Sequence, residues 1–318
     1  MGEVWGVLAA VLSSGLGGTS VGATRFLVGV LDPLAIGALR FGVGFLLLLP
    51  VAWLRDEPWP PRRDWPGVAG LGLLFFAAFP ILFNAALIFT TAARGALALS
   101  TLPLLTMVAG ACLGTERLTP RKTVGVSVAM LGVVLALAAG SASAPSGAWR
   151  GDLLMAGAAS CMAMYSVRSR LYIHRSGPLA FTTMGMGVGA ACLLLMSWGG
   201  GSLTALASLG SLQWAAILYL GAFGAAVTFY LWSVALGRTS PTRVAITVTV
   251  NPVTASLVGA ALLGEPLRWR LLLGIATVFA GIWIATAHGA QGKGKKTTPV
   301  LDVCAAPDRS WSGSLPKG

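Results

Sequence analysis

Apolar residues run along this chain in long blocks, separated by short stretches that hold nearly all the charge and much of the Pro. The blocks fall at 4–24, 33–54, 67–89, 93–113 and 121–139, then at 151–168, 178–198, 213–236, 241–263 and 270–288. Each is about 20 residues, the length a helix needs to cross the hydrocarbon of a bilayer. The pattern predicts an all-α integral membrane fold of ten spans. Residues 140–150, rich in Ser, Ala, Pro and Gly, read as a linker between two sets of five. Residues 289–318 are polar and basic and read as a disordered cytoplasmic tail.

Composition agrees. The 318 residues are 56% hydrophobic and only 10% charged, against about a quarter charged in soluble domains. A net charge of +12 would suggest nucleic acid in a soluble chain; in a membrane protein it asks on which side the cations lie. Sorting them by alternate loops puts Arg55, Arg62, Arg63, Arg117, Arg121, Lys122, Arg168, Arg170, Arg175, Arg238, Arg243 and the basic tail on one side. Only Arg25, Arg94, Arg150, Arg268 and Arg270 fall on the other. The richer side is expected to be cytoplasmic, which places both termini there. The N-terminus lacks the cations and cleavage site of a signal peptide, so the first apolar block is expected to stay in the membrane. Cys112, Cys161, Cys192 and Cys304 are too few and too scattered for a disulfide framework.

The chain repeats itself. An offset of 149 pairs Arg94 with Arg243, Pro103 with Pro252, Gly110 with Gly259, Glu116 with Glu265, Gly125 with Gly274 and Gly132 with Gly281. It also pairs Gly72 with Gly221 and Thr90 with Thr239, while an offset of 145 pairs Gly6 with Gly151 and Pro33 with Pro178. The expected organisation is a first five-helix unit over 1–139 and a second over 151–288. Because five is odd, the second enters the membrane inverted, the architecture of alternating-access secondary transporters.

These residues resemble a known family. Asp32-Pro33 followed by Ala38-Leu39-Arg40-Phe41, and twice a helix with a central Pro leading into Glu and a Gly-bearing helix (Ser100 to Gly132 and Thr249 to Gly281), are similar to the two EamA domains of the drug/metabolite transporter superfamily. The resemblance covers the chain to about residue 288. It implies a cytoplasmic N-terminus, a central cavity lined by spans 1, 3, 4, 6, 8 and 9, and export of amino acids, related metabolites or drugs across the cell membrane.

Candidate site residues follow from polarity inside the spans. Pro103 and Pro252 each remove a backbone hydrogen bond mid-span, which is tolerable where the freed carbonyl faces protein or a wet cavity. Ser100 and Thr101 precede the first break, and Thr247, Thr249 and Asn251 the second. Ser13, Gly17, Ser20 and Thr24 form a narrow stripe on span 1, suited equally to close packing and to a cavity wall. Asn84, Tyr165, Thr228 and Trp232 add amphipathic groups, although Trp232 could equally be a core or lipid-facing ring. Arg40 is the one charge well inside a predicted span, an arrangement that by default marks a functional site. The EamA pattern commonly has Arg here, outside the cavity-lining helices, so tying helix ends together through carbonyls is the competing role. Glu116 and Glu265, duplicated in short turns, suit helix capping.

All ten acidic residues, namely Glu3, Asp32, Asp56, Glu57, Asp64, Glu116, Asp152, Glu265, Asp302 and Asp308, lie at or beyond span ends. A pump built on a membrane-buried carboxylate has no carrier here. Small multidrug antiporters, which resemble half of this architecture, need a mid-span Glu where this chain has Ser13 and Ser14. No phosphate loop points to ATP, and no intramembrane nucleophile and base can be assembled. The expectation is a transporter and not an enzyme, without cofactor or metal. Its partners would be a small-molecule solute, membrane lipid and, as an option, a second copy in a homodimer, with no nucleic acid. The alternatives are multidrug efflux on the same fold, or a non-transporting scaffold or sensor acting through its basic tail.

Overall fold

The computed structural model describes residues 2–55, 57–115, 146–264 and a few isolated positions at 120, 123–124, 126–128, 131 and 276–277. Most of the expected fifth and tenth spans, the turns with Glu116 and Glu265, the pairs Gly125 with Gly132 and Gly274 with Gly281, most of the linker and the basic tail lie outside the described residues.

Those described are helical, with no strand among them. The helices are α1 (Gly2–Leu27), α2 (Pro33–Leu54), α3 (Arg62–Phe89), α4 (Ala92–Cys112), α5 (Ala148–Ser176), α6 (Pro178–Gly199), α7 (Ser211–Arg238) and α8 (Pro241–Ala261). All except α5 are long and apolar enough to cross a membrane. The α5 helix has 29 residues and is charged towards both ends, with Arg150 and Asp152 at one and Arg168, Arg170 and Arg175 at the other. Its middle packs into the bundle core through Met155, Ala158, Ala159, Met162 and Ala163. It runs eight residues past the predicted 151–168, because the polar turns at its end continue the helix against neighbours: Arg175 pairs with Asp64 at 3.1 Å.

The outer surface is apolar, as lipid contact requires: Leu12, Leu46, Leu54, Leu153 and Leu195 are exposed. Trp5, Trp53, Trp65, Trp149, Trp198 and Trp214 are also exposed and lie near helix ends, where indole rings favour the membrane interface. Trp232 departs from this rule, being 1% exposed within α7. This is a multi-pass membrane protein.

Local chemistry sets the ends and the breaks. Asp32 caps α2, accepting from Leu34 N at 2.8 Å with Pro33 in the first turn. Thr91 caps α4 through Arg94 N at 3.3 Å, and 149 residues later Ser240 caps α8 through Arg243 N at 3.4 Å. The α4 helix breaks at Ser100-Thr101 and resumes at Leu102 with Pro103 in its first turn. The α8 helix tightens to a 3₁₀ turn at Val248–Val250 and resumes at Asn251 with Pro252. Each proline thus starts a second half-helix, where its missing N–H costs nothing. A widened π turn interrupts α3 at Leu74–Ala78 and α7 at Ala222–Val227.

Close packing is paired in the same way. A side chain at Gly6 would meet Arg238 Cβ at 2.9 Å, and one at Gly151 would meet Ala86 O at 2.9 Å and Thr90 Cβ at 3.1 Å. A Cβ on Gly72 would lie 2.6 Å from Gly185 O, while Gly221 faces Val43 and Arg40 O. Small residues here let helix backbones approach, which is how helices associate in lipid.

Candidate functional site

The breaks in α4 and α8 reach one cavity of about 40 Å³, through Leu99 on one side and Val248 and Asn251 on the other. Its polar wall is Ser13, Ser14, Arg40, Thr228, Trp232 and Asn251, and its apolar wall includes Phe79, Phe83, Met162 and Phe229. In the numbering of predicted spans these belong to 1, 3, 4, 6, 8 and 9, the six that the family resemblance implies, plus Arg40 from span 2.

Helix α1 is fastened along this wall by its serines. Ser13 Oγ donates to Thr228 O at 2.8 Å, and Ser14 Oγ lies 2.8 Å from Thr247 Oγ1. Thr247 Oγ1 is in turn 2.8 Å from Val244 O. Gly17 leaves room for the Asn251 amide, since a Cβ there would stand 3.4 Å from Nδ2. Asn251 is 5% exposed, and its Oδ1 has no hydrogen-bond partner. Trp232 Nε1 also has none. Buried polar atoms are normally satisfied, so such orphans on a cavity wall call for an explanation.

Arg40 reaches the cavity because α2 and α7 touch at the π turn. Gly44 allows this, as a Cβ there would meet Ala225 Cβ at 2.9 Å. In the widened turn Phe223 O accepts from Thr228 Oγ1 at 2.7 Å, and Gly224 O accepts from Arg40 Nη2 at 2.5 Å. The guanidinium carbon stands 5.3 Å from the Phe41 ring centroid and 5.8 Å from that of Phe229, close enough for cation–π attraction. Arg40 is 4% exposed, and its Nε has no partner. Among the described residues no carboxylate lines this cavity; Asp152 pairs with Arg94 and Asp64 with Arg175 elsewhere.

The other sequence candidates lie off the cavity wall. Ser20 and Ser100 bond back to Leu16 O and Ala96 O in their own helices. Asn84 Nδ2 donates to Pro33 O at 2.9 Å, joining α3 to the start of α2. Tyr165 stacks on Phe75 with centroids 4.1 Å apart, inside an aromatic cluster with Phe76 and Phe181. Thr101 lines a separate pocket with Trp149 and Asp152. Thr247 touches the site through Ser14, and Pro103 and Pro252 set the breaks without lining it. Sequence reasoning missed Phe79 and Phe83. Their signal was present, because Phe75, Phe79 and Phe83 recur every four residues on one face of α3. Among the described residues no cluster of His, Cys, Asp and Glu could hold a metal ion.

Comparison with known proteins agrees with this architecture. The chain is 24% identical to the uncharacterized transporter YyaM of Bacillus subtilis, over 85% of this chain and 89% of that one. It is 31% identical to protein PA1977 of Pseudomonas aeruginosa, over 77% and 80%. A probable terminal-alkyne amino-acid exporter of Streptantibioticus cattleyicolor is 26% identical over 76% and 79%. A crystal structure with a TM-score of 0.67 and 22% identity covers 89% of this chain and 96% of its own, so the fold is shared. The model of the EamA-like transporter family matches twice, over residues 4–138 and 149–287, and the chain belongs to that family.

Proposed function

We propose that this transporter exports amino acids or related small metabolites across the cell membrane, by alternating access between two inverted five-helix repeats. The observation that carries the reading is the place of the cavity: it lies where two helix breaks meet, one a copy of the other at an offset of 149 residues. The paired caps, π turns and glycine contacts support the same two-fold relation. A site between two equivalent halves can open to either side by rocking one half against the other. A cavity of about 40 Å³ takes on the order of three water-sized spheres, so admitting an amino acid requires the helices to part. Both termini then face the cytoplasm, as the loop charges suggest.

Untargeted metabolomics of medium from overexpressing and deleted strains tests the reading and identifies the solute. The expected result is one or a few amino acids enriched with overexpression and retained on deletion. A purified protein that moves no solute in liposomes, together with a cellular phenotype lost on removing residues 289–318, would leave only the scaffold reading. Reporter fusions at both ends check the orientation.

A further inference from the structure

We infer that the solute enters with a carboxylate and that Arg40 holds it; this rests on the transport reading. Arg40 is a buried cation on the cavity wall, and no acid among the described residues shares that wall. What it has is one carbonyl, Gly224 O, and the faces of Phe41 and Phe229. Dipoles and ring quadrupoles soften a buried charge without neutralising it, and a lone ion in a low-dielectric interior gains most from an opposite ion. Nε also lacks a partner, so the planar fork keeps unused donor capacity. A carboxylate matches that fork with two parallel hydrogen bonds.

The rest of the wall fits the same ligand. Trp232 Nε1 is a second buried donor without a partner, and Asn251 Oδ1 is an acceptor without one. Donors suit a carboxylate, and a lone acceptor suits the ammonium of a zwitterion. Phe79, Phe83 and Met162 offer an apolar surface to a side chain. A phosphate dianion would bring two charges to one cation and leave one unbalanced. An amine without a carboxylate would add a cation beside Arg40. The fixed charge therefore selects for amino acids and against their esters and decarboxylated amines.

The test uses the intact protein in liposomes loaded with isotope-labelled proteinogenic amino acids, with efflux read by mass spectrometry. The amino acid moved fastest is then challenged by excess unlabelled competitor: itself, its methyl ester, its decarboxylated amine and its phosphorylated analogue where one exists. The expected result is competition by the amino acid and about tenfold weaker competition by ester and amine, the loss that follows from removing a charged hydrogen-bond partner. Arg40→Lys should keep transport with a raised KM. Arg40→Gln should remove it in protein that still elutes as a single folded species. Equal competition by ester, amine and acid would overturn the carboxylate anchor while leaving transport intact, and a better phosphorylated competitor would overturn it in favour of phosphate. No efflux of any amino acid would sink the inference, while export of another metabolite in the metabolomics test would keep the transport reading.

Discussion

Arg94 and Asp152 meet in a two-point ion pair: Arg94 Nε donates to Asp152 Oδ1 at 3.1 Å, and Nη2 donates to Oδ2 at 2.6 Å. The side chains are 15% and 21% exposed. The pair joins the first turn of α4 to α5 just beyond its first turn, so under the proposed repeats it crosses from one half to the other. Bidentate, partly desolvated geometry lifts it above an ordinary surface ion pair. Asp152→Asn or Arg94→Gln should each lower stability in detergent by about 1–3 kcal/mol. A double-mutant cycle isolates the pair from the other contacts of each residue. Coupling below about 0.5 kcal/mol would reduce it to an incidental contact.

Ser14 and Thr247 couple α1 to the end of the first half of α8 through hydroxyls 2.8 Å apart. In lipid such bonds average about 0.6 kcal/mol. Ser14→Ala with Thr247→Val should therefore show a coupling of that order. A larger effect is expected on transport than on stability, because the contact borders the helix break that alternating access must move. Equal transport rates for both single variants and wild type would show that this contact stays intact through the cycle.

The sequence makes the fold legible where the cause is local. Hydropathy gives the boundaries of α2 and α6 to within a residue, and Pro103 and Pro252 announce their breaks because a proline in mid-span lacks the N–H that would continue the helix from the turn before it. The site is less legible, because burial and partner depend on distant residues. Arg40 sits on the cavity wall only because Gly44 and Gly221 bring α2 against a π turn in α7, and nothing local in the sequence marks that turn. Tyr165 and Trp232 are both aromatic and both inside spans, yet one is enclosed by Phe75 and Phe76 while the other reaches the cavity. Ser20 and Ser13 belong to one stripe, but Ser20 bonds to its own helix and Ser13 to Thr228 across the bundle.

Gly18 and Gly15 provide a matched pair on α1. A Cβ on Gly18 would lie 2.6 Å from Asn251 O and 2.9 Å from Asn251 Cα, both backbone atoms that cannot rotate away. One on Gly15 would meet nothing within 4 Å. Gly18→Ala should push α1 off the second half of α8, costing about 1–3 kcal/mol by overpacking, and should impair transport. Gly15→Ala should be neutral, or stabilising by up to about 1 kcal/mol through helix propensity. Thermal unfolding of the two variants side by side checks this, and equal stability would contradict the close approach at Gly18.

Asn251 opens the second half of α8 just before Pro252, and its unsatisfied Oδ1 is on the cavity wall. Asn251→Ala keeps the helix start, since alanine is a good helix former, and removes a buried polar atom that has no partner. Stability should be unchanged or slightly raised, while transport should fall about tenfold through the lost solute contact. Asn251→Asp should be worse. A carboxylate on the wall shared with Arg40 would give the guanidinium an internal counter-ion, and the solute would have to displace it. Wild-type transport kinetics in Asn251→Ala would remove the amide from the site, whereas Asn251→Asp that transports better than Asn251→Ala would show that Arg40 and Asn251 do not act on the same solute.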